Sequence, residues 1–170
     1  MNIGKIFSSV FYAPQMPGIQ HPVKQIPHRI DGLHQAAGSK HVFELHGSTL
    51  RNFCMNCGKP YSVDFIAESK DSPDSLPHCT DCGGLIKPDV VLYEEGLDNA
   101  VMEGAIDALQ KADMLIIGGT SLVVYPAAGL INYFRGNKLV LINKSATPSD
   151  GIATLVIHDS IGKILSSVHP

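Results

Sequence analysis

The chain has 170 residues, 44% of them hydrophobic and 17% charged, with a formal charge of −3. That is enough apolar material for one ordinary domain plus a small inserted module, and it excludes a chain disordered by composition. The mixed charge excludes the basic footprint of a nucleic-acid or anionic-membrane binder, and no run approaches the roughly eighteen apolar residues that span a bilayer.

Residues 1–29 show no sustained period. Prolines at 14, 17, 22 and 27 break any long helix or central strand, so this stretch reads as a loop-like leader. Its start, MNIGKIFSSVFYAPQ, is too short and too interrupted for a signal peptide, so a cytoplasmic location is expected. Residues 30–38 read as a short turn or helix with Gly38 as its C-cap. HVFELHG alternates, which predicts a short strand with Phe43 and Leu45 on one face and Glu44 and His46 on the other. Residues 51–86 hold all the cysteines, with a polar loop, DFIAESKDSPDSLPH, in the middle.

From residue 87 the pattern changes. KPDVVLYEE is a short β-branched run. Residues 97–112 place Val101, Ala105, Ala108 and Leu109 at helical spacing behind an Asp98 cap. DMLIIGGTSL, NKLVLINKSAT and ATLVIHDS read as buried strands. YPAAGLINYFRG and IGKILSSV read as helices, the first with Pro126 in its first turn and Gly136 beyond its end. Strands alternating with helices of this length predict a parallel sheet covered on both faces. Ligands in such sheets bind beyond the carboxyl ends of strands, where GGTS and INKS fall.

Cys54, Cys57, Cys79 and Cys82 form two Cys-x-x-Cys pairs separated by twenty-one residues. Each turn can set two thiolates on one tetrahedral ion, and four sulfurs leave no open coordination position. The expected role is structural zinc, with an iron centre chemically allowed. Two disulfides or a redox pair are the alternatives, which suit a secreted chain or a redox enzyme. His46 taken alone is more often structural than catalytic. GGTSL can offer backbone N–H groups and hydroxyls to a nucleotide, but it is not the Gly-x-Gly-x-x-Gly fingerprint. Asn143 at the next strand end could meet a ribose or cap a turn.

The order of the motifs is more specific than any one of them. IDGLHQAAGS, ELHGS, the cysteine pairs, KPDVVLYEE, GTSLVVYPAA and LINKSAT together resemble the sirtuins, the NAD-dependent protein-lysine deacylases. The resemblance covers residues 30–168, which is 139 of 170, and is nearest to bacterial members with a compact zinc module. It implies an α/β fold, a truncated Rossmann-like parallel sheet with an inserted zinc-ribbon module. The partial NAD-binding domain would comprise 30–50 and 87–168, and the zinc module 51–86. NAD and an acyl-lysine protein or peptide would meet in the cleft between them, giving nicotinamide, free lysine and an O-acyl-ADP-ribose.

The resemblance also implies roles. His46 matches the general base that deprotonates the NAD ribose. Ile30 and Asp31 match the end of a Gln-Asn-Ile-Asp motif whose aspartate holds the nicotinamide amide. Gly119, Thr120 and Ser121 match the loop on the phosphate and ribose side. Asn143, Lys144 and Ser145 match the segment beside the adenosine ribose, and Ile161 is placed against the adenine. Val91 and Tyr93 match the strand and tunnel that grip acyl-lysine, the peptide adding as a strand.

Three departures stand out. His28 and Arg29 occupy the Gln and Asn places, and arginine cannot reproduce the acceptor–donor pattern of an asparagine. Nothing in residues 1–29 matches the family's first strand, its Gly-Ala-Gly loop or its Ser-Gly-Ile-Pro-Asp-Phe-Arg stretch. Glu94 stands where the family usually has glycine. A sheet without those first strands is expected to bare an edge and to self-associate through it. Impaired deacylase activity is expected, with a non-catalytic zinc-stabilised remnant that binds peptide or a partner protein as the alternative.

Overall fold

A computed structural model describes residues 10–11, 24–123 and 125–167. The chain divides into two units, one built from residues 1–28, 34–45 and 98–170, the other from 29–33 and 46–97.

In the first unit the apolar runs MLIIG and KLVLI become neighbouring strands, β7 (Met114–Gly118) and β8 (Lys138–Ile142) in chain order. They pair in parallel from Met114 opposite Lys138 to Gly118 opposite Ile142, and β9 (Leu155–Ile157) continues the parallel sheet on the far side of β8. Side chains alternate across a strand. Ile116 and Ile142 therefore share one face, where helix α4 (Ile161–Ser167) packs Ile161 against them, with Ile164 and Leu165 alongside. Leu115, Ile117, Leu139 and Leu141 point the other way and are also buried, so the sheet is covered on both faces. Each such side chain contributes roughly 1.5–3 kcal/mol relative to exposure.

Helix α3 (Asn99–Gln110) forms as the spacing predicts. Asp98 caps it by accepting from the Val101 N–H at 2.9 Å, and Ala105, Ala108 and Leu109 are its buried stripe. Gly104 lets the Phe43 ring approach, since a Cβ there would lie 2.7 Å from Phe43 Cε1. The segment after Pro126 is a 3-10 helix, Ala127–Tyr133, packed against α3.

Three expectations for the front of the chain need correction. Lys24–Gln25 is a strand, β2, paired in parallel with β3 (His41–Val42), and the Phe43 N–H reaches the Gln25 carbonyl at 2.7 Å. Gln25, Ile26 and Pro27 are buried, so the end of the supposed leader belongs to the core. A two-residue strand fits between Pro22 and Pro27 because it needs few ladder bonds. The sheet edge expected to be bare carries β1 (Val10–Phe11), antiparallel to β7 with Val10 opposite Gly118 and Phe11 opposite Ile117. Residues 1–9 and 12–23 of the leader lie outside the described residues. The strand expected through HVFELHG stops at Val42, because Leu45 and His46 form a turn.

The second unit is a three-stranded antiparallel sheet with β4 (Gly47–Cys54) at its centre, flanked by β5 (Pro60–Tyr61) and β6 (Ile86–Val90). It is wider than the expected 51–86, because β4 and β6 run past the cysteines on both sides as one ladder. Gly47 is required there, with φ +75° and the Asp89 carbonyl oxygen 1.9 Å from where a Cβ would sit. The polar loop expected after Ser62 begins instead as helix α2 (Val63–Glu68). Ser62 caps it through the Phe65 N–H at 3.2 Å, and Phe65 and Ile66 are turned onto a core of Cys54, Cys79 and Ile86.

Candidate functional site

The four cysteine sulfurs lie within 4.8 Å of one another. The closest pairs are Cys54–Cys82 at 3.5 Å and Cys57–Cys79 at 3.6 Å. These are far beyond the roughly 2.05 Å of a disulfide and near the edge of about 3.8 Å that a tetrahedron of 2.3 Å zinc–sulfur bonds requires. The donor set therefore fits a structural zinc, which supplies a closed cross-link. Gly58 and Gly83 adopt φ of +73° and +70° where the chain folds back. Gly84 has no Cβ to meet the Cys54 sulfur, which would lie 3.0 Å away. The Tyr61 hydroxyl donates to Cys79 Sγ at 3.1 Å and pulls that thiol down to about 6.

In the same unit β4 gathers three segments that are distant in sequence. Thr49 donates to the Ile30 carbonyl through its N–H at 2.8 Å and through its hydroxyl at 3.0 Å. His46 immediately precedes β4, and its carbonyl accepts from the Val91 N–H at 3.1 Å. Ile30 is thus tied to β4, and Val91 to His46 just before the same strand. Burial holds the His46 imidazole below its usual range. Tyr93 is not on a strand: it is fully exposed on a turn that Glu95 closes, accepting from the Leu92 N–H at 2.8 Å and from Lys87 at 2.8 Å.

Asp31 is already engaged. Arg29 donates through Nε to its Oδ2 at 2.6 Å and through Nη2 to the same oxygen, and the Leu33 N–H reaches Oδ1 at 3.3 Å. Burial pushes the carboxyl up, but the guanidinium and that N–H outweigh it and hold the group below the usual carboxylate range. The Arg29 position was legible as a departure; its ion pair was not.

In the first unit the ends of β7 and β8 bring Gly119, Thr120 and Ser121 beside Asn143, Lys144 and Ser145. The Gly119 N–H donates to the Ile142 carbonyl at 3.0 Å, and Gly119 has φ +65°. Thr120 accepts from the Leu122 N–H at 3.1 Å, while Ser121 is exposed. Asn143 donates to the Ser145 carbonyl at 2.9 Å. His158, which sequence reading did not single out, places Nδ1 3.3 Å from the Asn143 carbonyl. Ile161 is in the core: a Cβ on Gly118 would lie 2.0 Å from its Cδ1. Its surroundings are those of packing.

A sequence model described as the Sir2 family matches residues 18–126. The chain belongs to the Sir2 family. The match begins twelve positions before Ile30 (30 − 18), in keeping with the burial of Gln25, Ile26 and Pro27. A Clostridium perfringens relative, named NAD-dependent protein deacetylase, is 67% identical over 144 residues, covering 84% of this chain and 57% of that protein. A protein of the same name from Staphylococcus aureus strain Mu50 is 46% identical over 149 residues, covering 88% of this chain and 59% of the relative. The chain thus spans under two thirds of the length of these relatives. Among solved structures, Sir2 with p53 peptide and NAD+ superposes with TM-score 0.77 at 40% identity, over 83% of this chain and 59% of that one. Sir2 bound to acetylated peptide gives 0.78 at 40% identity, over 83% and 60%. The fold is accordingly the Sir2 one, a Rossmann-like parallel sheet with a four-cysteine module. Among the described residues no helix is long and apolar enough to cross a membrane.

Proposed function

We propose that the chain carries the base, the ribose-side loops and the acyl-lysine segment of an NAD-dependent protein-lysine deacylase site. The observation that carries this reading is that Ile30 bonds Thr49 on β4 while Val91 bonds His46 just before that strand. Its relatives named NAD-dependent protein deacetylase, and the Sir2 complexes with NAD+ and acetylated peptide, support the same substrate classes. NAD+ would supply a nicotinamide leaving group and the ribose carbon that receives the acyl oxygen. His46, kept neutral near pH 7 by burial, would accept the ribose proton. Gly119, Thr120 and Ser121, with Asn143, Lys144 and Ser145, would border the phosphate and ribose. Val91 and Tyr93 would receive the acyl-lysine peptide. Ile161 would support this rim from beneath through Gly118 and Ile142. A reducing, cytoplasmic compartment suits the four thiolates.

A second reading is a non-catalytic, zinc-stabilised member that binds peptide or a partner protein. The Arg29–Asp31 pair favours it, because the carboxylate assigned to the nicotinamide amide already holds a cation. Calorimetric titration with NAD+, combined with turnover of an acetyl-lysine peptide, separates the two. Turnover lost in His46→Ala supports the enzyme. Peptide binding without NAD+ binding or turnover supports the second reading. Self-association belongs to either reading, and among the described residues β1 pairs with β7 at Gly118 and Ile117. Light scattering across a concentration series would test it.

A further inference from the structure

The four sulfurs of the metal site have unequal surroundings. Cys54 and Cys79 are buried, whereas Cys57 and Cys82 are exposed. Cys54 receives a backbone donor, the Asn56 N–H at 3.4 Å, which almost any sequence could supply. Cys79 has backbone donors too, from Asp81 and Cys82, and in addition a side chain, the Tyr61 hydroxyl at 3.1 Å. That hydroxyl is itself oriented. It accepts from the Thr80 N–H at 2.8 Å, which leaves its own proton to give, and Cys79 Sγ and Thr80 Oγ1 both lie 3.1 Å away. The Tyr61 backbone is held by its pairing with Asn52 on β4, and its ring packs against Phe65, 4.6 Å away between centroids. Lys59 adds positive charge 5.6 Å from the ring centroid, anchored by Asp81 at 2.5 Å and Thr80 at 3.0 Å.

Four thiolates around a divalent ion leave a net charge of −2, and the two buried sulfurs have least access to water. A buried thiolate without a donor is costly, and a donor that lowers its charge density also fixes the direction of its lone pairs. We infer that Tyr61 is a positioning residue of the metal site, its hydroxyl holding the Cys79 thiolate in the geometry that retains the ion. This holds whether or not the chain turns over NAD+.

The test compares the zinc-loaded full chain with Tyr61→Phe, which keeps the ring and deletes one oxygen, and with Phe65→Leu, which keeps the hydroxyl and loosens the ring. Zinc transfer to a chromogenic chelator is followed in time, and the thiolate-to-metal charge-transfer bands are recorded after cobalt substitution. Tyr61→Phe should release zinc roughly 10- to 100-fold faster, the range usual for loss of an outer-shell partner, and should shift the cobalt bands. It should also raise alkylation of Cys79 relative to Cys82. Phe65→Leu should leave the bands in place. Release from Tyr61→Phe within twofold of wild type overturns the inference. So does equal release from Phe65→Leu with both sets of bands unshifted, since packing alone would then be responsible.

Discussion

Arg29 and Asp31 face each other across a single residue, with two guanidinium nitrogens on one carboxylate oxygen. The pair is about a third exposed, so it is worth at most about 1 kcal/mol, and salt weakens it. A carboxamide that needs the same oxygen must displace Arg29. Arg29→Asn should therefore tighten nicotinamide or NAD+ binding by about two- to fivefold, with a smaller salt dependence than wild type. The carboxyl carbon signal of Asp31 should titrate higher in the variant. The pair's contribution to stability is complete above the ordinary carboxylate pKa and fades as pH falls through the lowered folded value. Weaker binding in the variant would mean that Arg29 orients Asp31 rather than blocking it.

His46 gives a pH prediction with a definite sign. Burial lowers its pKa, so the folded protein holds the proton less tightly than the unfolded chain. Stability should decline as pH drops through about 6.5 toward the lowered folded value, and His46→Gln should flatten that decline. Turnover that uses His46 as base should keep its activity to pH values below the ordinary imidazole range, then fall. His46→Ala should lose roughly 100- to 10,000-fold. An imidazole titration by NMR at or above 6.5 for this residue would count against the assignment.

Glu94 shows where a departure in sequence becomes a strain in the backbone. It sits at φ +71°, on the turn after β6, in the place where the resemblance expects glycine. A non-glycine residue in that region costs roughly 1–2 kcal/mol, and glycine avoids the clash at some entropic cost. Glu94→Gly should stabilise the chain by about 1 kcal/mol in urea midpoints. Gly47→Ala should do the opposite by roughly 2 kcal/mol or more, because its Cβ would overlap the Asp89 carbonyl. Equal midpoints for wild type and Glu94→Gly would show that the turn carries no strain.

The contrast between those two positions explains what could be read in advance. Helix α3 was legible because Val101, Ala105, Ala108 and Leu109 fall at helical spacing behind the Asp98 cap, and the cysteine site because four thiols admit few arrangements. Helix α2 was not, since its six residues expose Val63 and half-bury only Phe65 and Ile66, too few to show a period. The alternation of HVFELHG misled because Phe43 is spent on packing at Gly104 while the backbone leaves the ladder. Lys24–Gln25 was hidden by flanking prolines, whose constraint acts on long strands and not on a two-residue one. The strand-end loops were visible as motifs, but the socket that Gly118 opens for Ile161 was not.

Metal removal supplies the broadest test of how the second unit is held. Its core has Cys54, Cys79 and Ile86 at the centre, with Tyr61, Phe65 and Ile66 only partly buried around them. Without a metal, four thiols would replace the cross-link that joins β4 to the 79–82 turn, and so few apolar side chains do not offset the ordering of about sixty residues. Chelation should therefore expose the amides of β4, β5 and β6 to hydrogen exchange, beginning with the Cys54 N–H bonded to Lys59 and the Cys79 N–H bonded to Gly84. The β7–β8–β9 ladder has its own apolar core of Ile116, Ile142 and Ile161, so its amides should keep their protection. Readdition of zinc should restore the lost protection, and a uniform loss across both units would show that they unfold as one.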